Sequence, residues 1–161
     1  MGGQPRAPGC SDQPHTVSSS DDRPRFVRNR VAADACSAAR TRAEFGVWLE
    51  SHFTLGADRF SDLMLAVNEA IANAAEFAYC GSAQRGTVDV SAAYDGDSDT
   101  LAVTVNDQGH WRPKLPVQQQ LRGRGIPLME ALADEVTIDR TPHGTHVTLT
   151  WTDLTGPGLS A

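Results

Sequence analysis

Cysteine is scarce in this chain: Cys10, Cys36 and Cys80 stand far apart, with no C-x-x-C pair. That excludes a disulfide framework and a thiolate zinc site, and it fits a reducing compartment. Long apolar runs are absent too. No stretch approaches the roughly 18 residues that a membrane span needs, so no membrane association is expected. Basic charge is also short, with 14 Lys and Arg against 20 Asp and Glu and a net charge of −6. A broad cationic face for nucleic acid is thereby excluded. The first 24 residues have no apolar core behind basic residues, so no secretion signal is expected and the chain is read as cytoplasmic. Internal repeats are missing as well.

What remains describes one ordinary globular domain: 161 residues, 40% of them hydrophobic. Residues 1–24 hold three Gly, four Pro and four Ser, with only Met1, Ala7, Cys10 and Val17 apolar. Such a segment cannot bury enough surface to offset its ordering entropy, so a disordered tail is expected there. The domain is then expected over 25–153, with 154–161 as a C-terminal tail.

Residues 25–33 read as an edge strand with Phe26 and Val31 as its apolar positions. Helical spacing of Phe45, Trp48 and Leu49 predicts a helix over 36–52, and a longer one is expected over 60–79. Strands are expected over 87–94 and 101–106 across an Asp-rich turn, then a long loop over 110–122. A short helix over 126–133 and a hairpin of strands 135–140 and 145–152 complete the pattern. Helices followed by antiparallel hairpins imply an α+β fold, a two-layer sandwich with helices on one face of a mixed, mostly antiparallel sheet.

The long helix has an unusual polar side. At about 100° per residue, Leu63, Met64, Val67, Ile71, Ala74 and Ala78 fall within about 60° of Phe60 and make the packing stripe. Glu69 and Asn73 lie opposite, one turn apart. An exposed helix usually mixes Lys and Arg among its acids, yet none occurs between Phe60 and Gln84. Ala66, Ala70 and Ala72 flank the pair and leave room for something to lie against the helix. A carboxylate beside an amide oxygen suits a hard cation such as Mg²⁺ that shares its ligands with phosphates.

Two glycine motifs follow. Asn106-Asp107-Gln108-Gly109 ends a strand and delivers one carboxylate at a sharp turn. Gly123-Arg124-Gly125-Ile126-Pro127 opens a helix, where free N–H groups and the helix dipole make an anion site, with Arg122 and Arg124 adding charge. Gly144-Thr145 opens the last strand. Two further patterns are set aside. Asp95-x-Asp97-x-Asp99 lacks the glycine and glutamate of a calcium loop and reads as a hairpin turn. His143-x-x-His146 straddles a turn and is not expected to hold a metal.

The order of these motifs resembles the ATP-binding fold of the gyrase, Hsp90, histidine kinase and MutL superfamily, the Bergerat type. The closest likeness is to bacterial anti-sigma-factor serine/threonine kinases. LAVNEAIANAAEFAY resembles their first box, VNDQGHW their D-x-G-x-W box, GRGIPLMEALADEV their third box and GTHVTLTW their closing strand. The third box is the most specific of the four.

The resemblance implies ATP and Mg²⁺ as cofactors. Glu69 would be the general base for a substrate hydroxyl, and Asn73 would hold Mg²⁺. Asp107 would accept from the adenine amine, with Thr145 supporting the same ring and Gly109 letting the base approach the backbone. Gly123 and Gly125 would offer N–H groups to the phosphates, Arg124 would assist, and 110–122 would be a lid. Phe77 stands where the family often has His. The implied function is an ATP-dependent kinase and anti-sigma factor acting on an anti-anti-sigma protein. Its partners would then be that protein and a sigma factor, and a homodimer is compatible with the resemblance. The rival is a non-catalytic ATP-binding module that sequesters a sigma factor or another regulator. A sensor histidine kinase would need an upstream phospho-acceptor helix pair, and a gyrase-like ATPase a following transducer; neither is expected here.

Overall fold

Apolar residues at every second position decide which face of the sheet is covered. In the computed structural model, which describes residues 23–77, 86–109 and 124–154 (for Glu76 and Phe77 the backbone alone), five strands form one sheet. They are β1 (Arg25–Ala32), β2 (Thr87–Asp95), β3 (Thr100–Asp107), β4 (Glu135–Thr141) and β5 (Gly144–Trp151), in the order β1-β2-β3-β5-β4. Val88, Val90 and Ala92 of β2, Leu101, Val103 and Val105 of β3, and Val147, Leu149 and Trp151 of β5 are buried on one face. Most alternate positions are short or polar side chains, and Ser91 and Thr104 share a hydrogen bond across β2 and β3. This matches the α+β sandwich read from the sequence. All four pairings are antiparallel, so no parallel pair occurs among the described residues.

Among the described residues three helices cover the apolar face: α1 (Ala35–His52), α2 (Ala57–Phe77) and α3 (Gly125–Leu132). Asp34 starts α1, its carboxylate accepting from the Ser37 N–H at 2.8 Å. Phe45, Trp48 and Leu49 of α1 are buried, and the rings of Phe45 and Trp48 join Phe26 of β1 and Phe53 in an aromatic cluster, neighbouring centroids 5.5–5.9 Å apart. Each large side chain taken out of water there contributes about 1.5–3 kcal/mol. Along α2, Leu63, Val67, Ile71 and Ala74 are buried, as the helical stripe predicts.

Boundaries moved in a few places. The long helix begins at Ala57, before the apolar stripe, because the Gly56 carbonyl already accepts from the Phe60 N–H. Residues 78–79, its expected end, lie outside the described residues, as do 1–22, the loop 110–122 and the tail 155–161. Leu154, expected to begin the C-terminal tail, is 1% exposed and belongs to the core. Its carbonyl also accepts from the Tyr94 hydroxyl.

The C-terminal end of α3 is tied to the sheet by two side chains. Trp151 donates from Nε1 to the Leu132 carbonyl at 2.9 Å. Asp134 accepts from the Thr152 N–H at 2.8 Å and from Arg59 of α2 at 3.0 Å. No helix among the described residues is long and apolar enough to cross a membrane.

Candidate functional site

Glu69 and Asn73 do not form a bare outer face. The first residue of α3 sits over them. A β-carbon placed on Gly125 would lie 2.9 Å from Asn73 Nδ2, 3.3 Å from Asn73 Oδ1 and 3.2 Å from Glu69 Oε2. Glycine is therefore what lets the start of α3 reach the acid-amide pair. Ala66 and Ala70, read from the sequence as leaving room for a ligand, are instead 0% and 1% exposed. That expectation is corrected. Those two side chains are packed into the core, α3 lies against α2, and Ala72, Glu69 and Asn73 stay half-buried.

Among the described residues no side chain caps the N-terminus of α3. Arg124 precedes it in an αR conformation and makes no side-chain capping bond. Main-chain N–H groups of a first turn have no intrahelical acceptor, and Pro127 lacks one without loss at that position. The exposed Arg124 side chain adds positive charge at this end. Gly123 lies outside the described residues.

The second cluster forms where β3 ends beside the start of β5. Asp107 is 9% exposed, and its Oδ1 accepts from the Gly109 N–H at 2.9 Å and the Thr145 N–H at 3.3 Å. Both donors go to one oxygen, so Oδ2 is left outside these bonds. Burial pushes the Asp107 carboxyl above the usual aspartate value, and the N–H groups of Gly109 and Thr145 oppose that shift. Gly144 makes the approach possible: its φ is +147°, and an added β-carbon would collide with the Asp107 carbonyl. Sequence reasoning noted Gly144 only as a strand opener and missed this role. A glycine directly across from an Asp-x-Gly turn was the available signal.

Seven of the eight expected site residues thus fall on described elements in two clusters. One joins Glu69 and Asn73 to Gly125 with Arg124 beside it; the other joins Asp107 to Gly109 and Thr145. A family profile described as the histidine kinase-like ATPase domain matches residues 31–151, which include both clusters. The chain belongs to that family. Among solved structures, it is similar to the RsbU and RsbW domains of Rv1364c from Mycobacterium tuberculosis, at 27% identity and a TM-score of 0.63. The similarity covers 80% of this chain and 32% of the other, so this chain spans about a third of the length of that longer one.

Membership makes ATP the ligand class for this histidine kinase-like ATPase domain. The residues present also suit a hard cation. Among the described residues no group of three His, Cys, Asp or Glu side chains could hold a metal alone. An ion here would take oxygen from Asn73, and most of its remaining ligands from phosphate and water, as Mg²⁺ commonly does. Phe77, the departure noted in the first box, has its side chain outside the described residues.

Proposed function

We propose that the chain is an ATP-dependent protein serine/threonine kinase and anti-sigma factor that phosphorylates an anti-anti-sigma protein. The observation that carries this reading is the closeness of Gly125 to both Glu69 and Asn73. It sets a carboxylate beside the start of a helix whose first-turn N–H groups can hold phosphate, which supports phosphoryl transfer as well as nucleotide binding. The likeness to a chain with an RsbW domain supports the same reading.

In this scheme Asp107 accepts a hydrogen bond from the adenine amine through Oδ2, and Thr145 and Gly109 hold the carboxylate in place. The first-turn N–H groups of α3, Gly123 and Arg124 hold the phosphates. Asn73 would hold Mg²⁺, which would offset phosphate charge. Glu69 takes the proton of the substrate Ser or Thr hydroxyl as its oxygen bonds to the γ-phosphorus. The bond from that phosphorus to the β,γ-bridging oxygen breaks, and ADP leaves with the electron pair. Such proton transfer contributes about 10²–10⁴-fold, the remainder coming from positioning and charge stabilisation. Phosphate added to the anti-anti-sigma protein would break its complex and return the kinase to its sigma factor.

Transfer of label from γ-labelled ATP to a panel of purified anti-anti-sigma proteins, by the natural chain and by Glu69→Gln, tests this. The expected result is labelling on Ser or Thr that falls at least about 100-fold in the variant, with ATP affinity retained. Equal labelling by both would remove Glu69 as the base. No labelling by either, with ATP bound, would leave a non-catalytic nucleotide module.

A further inference from the structure

A helix as short as α3, with its 8 residues, does not hold together in water by itself. Met129 is its buried side chain, and Ile126 and Leu132 are partly buried against the core. Its direction therefore depends on what ties its two ends. At the first end Gly125 lies over Asn73 and Glu69 of α2. Past the other end, Asp134 meets Arg59, also of α2. Arg59 precedes Asn73 along α2, so the two helices run in opposite directions with a polar contact near each end.

Nothing local to α2 accounts for Arg59. It is the one basic side chain of that helix, and it stands in the first turn, where the helix dipole disfavours a cation. Its partners lie across the fold. Nη2 donates to Asp134 Oδ2 and to the Thr152 carbonyl, both at 3.0 Å. The same Oδ2 accepts from the Thr152 N–H at 2.8 Å and the Thr152 hydroxyl at 3.3 Å. The start of α2, the link from α3 to β4 and the residue after β5 thus meet at one carboxylate oxygen. The Arg59 and Asp134 side chains are 35% and 42% exposed, and ion pairs so exposed contribute little to stability. What this one does is hold a direction.

Met129 makes the coupling mechanical. It stands about 6 Å along the axis from Gly125 and about 5 Å from Leu132, near the middle of the helix. A tilt about this buried side chain that shifts one end shifts the other by about as much, in the opposite sense. The clearance at Gly125 is small, since a β-carbon there would lie 2.9 Å from Asn73 and 3.2 Å from Glu69. Misplacement by about 1 Å, caused far from the chemistry, can cost about 10²-fold.

We infer, resting on the nucleotide site proposed above, that Arg59 is a positioning residue for the phosphates. Through Asp134 it fixes the direction of α3, and so the place of the first-turn N–H groups relative to Asn73 and Glu69. Arg59 itself touches no ligand, because it stands about 21 Å along α2 from Asn73.

The test compares the natural full chain with Arg59→Met, which keeps the stem without charge or donors, and with Arg59→Lys, which keeps the charge. Calorimetry reads Mg²⁺-ATP affinity, and shifts of the Gly109 and Thr145 amides in a ¹⁵N NMR titration read adenosine affinity. Adenosine lacks the phosphates and reports on the Asp107 cluster alone. In Arg59→Met, ATP affinity should fall at least about fivefold while adenosine affinity stays within about twofold. Arg59→Lys should recover most of the lost ATP affinity. Equal losses of ATP and adenosine affinity would make Arg59 a tie of the fold and nothing more. Unchanged ATP affinity in Arg59→Met would remove the coupling. Either result overturns the inference and leaves the nucleotide site standing. No ATP binding by the folded natural chain would overturn that site, and the role of Arg59 with it.

Discussion

The main chain of Asp107 occupies the space where a side chain on Gly144 would have to go. That one approach brings the start of β5 against the end of β3 and lets the Thr145 N–H reach the Asp107 carboxylate. The carboxylate is thus fixed from both strands before any ligand arrives.

Gly144→Ala should therefore destabilise the fold. The added carbon meets backbone, which cannot swing aside, and φ at +147° is strained for any L side chain. A loss of about 2 kcal/mol or more is expected in urea denaturation. Gly56→Ala, where nothing lies within 4 Å of the new carbon, should change little.

Gly125→Ala should separate function from folding. Here the carbon meets the ends of the Asn73 and Glu69 side chains, which can move. Stability should change by less than about 1 kcal/mol, since alanine also suits a helix better than glycine. Mg²⁺-ATP affinity should fall about tenfold, a loss of about 1.4 kcal/mol. Calorimetric titration paired with thermal denaturation reads both quantities.

ATP affinity should depend on pH through Asp107. Burial holds its folded-state pKa above that of the unfolded chain. The folded protein thus binds this proton more readily, so Asp107 favours folding increasingly as pH falls through the raised value. Over the same window the ionised acceptor is depleted and affinity should drop, at a pH above that of an ordinary aspartate. Asp107→Asn should bind more weakly and lose this component when the two titration profiles are compared.

Asp134 should behave in the opposite sense. The Thr152 N–H foremost, then Arg59 and the Thr152 hydroxyl, holds its carboxyl below the usual value. Its contribution is present above the unfolded-state pKa and is lost as pH falls through the lowered one. Asp134→Ala should cost about 1 kcal/mol at neutral pH, and the difference from the natural chain should vanish in strong acid. Thermal denaturation across pH reads this directly.

Much of this arrangement was legible because its signals are periodic. Alternation in 87–94 and 101–106, and the stripe from Leu63 to Ala74, report burial directly. The Glu69 and Asn73 pair was legible through what surrounds it, a stretch without compensating Lys or Arg. Ala66 and Ala70 misled, because a small side chain looks the same whether it admits a ligand or a neighbouring helix. The roles of Gly125 and Gly144 were hidden for a related reason. A missing β-carbon matters only against whatever occupies its place, and that partner is Asn73, 52 residues before Gly125, in one case and Asp107, 37 residues before Gly144, in the other.

Calorimetric titration of Mg²⁺-ATP into the natural chain and into Asn73→Ala tests the nucleotide site most directly. Saturable binding by the natural chain, weakened at least tenfold in a variant that remains folded, is the result this account predicts. Equal affinity of the two proteins, or no binding by the folded natural chain, would contradict it.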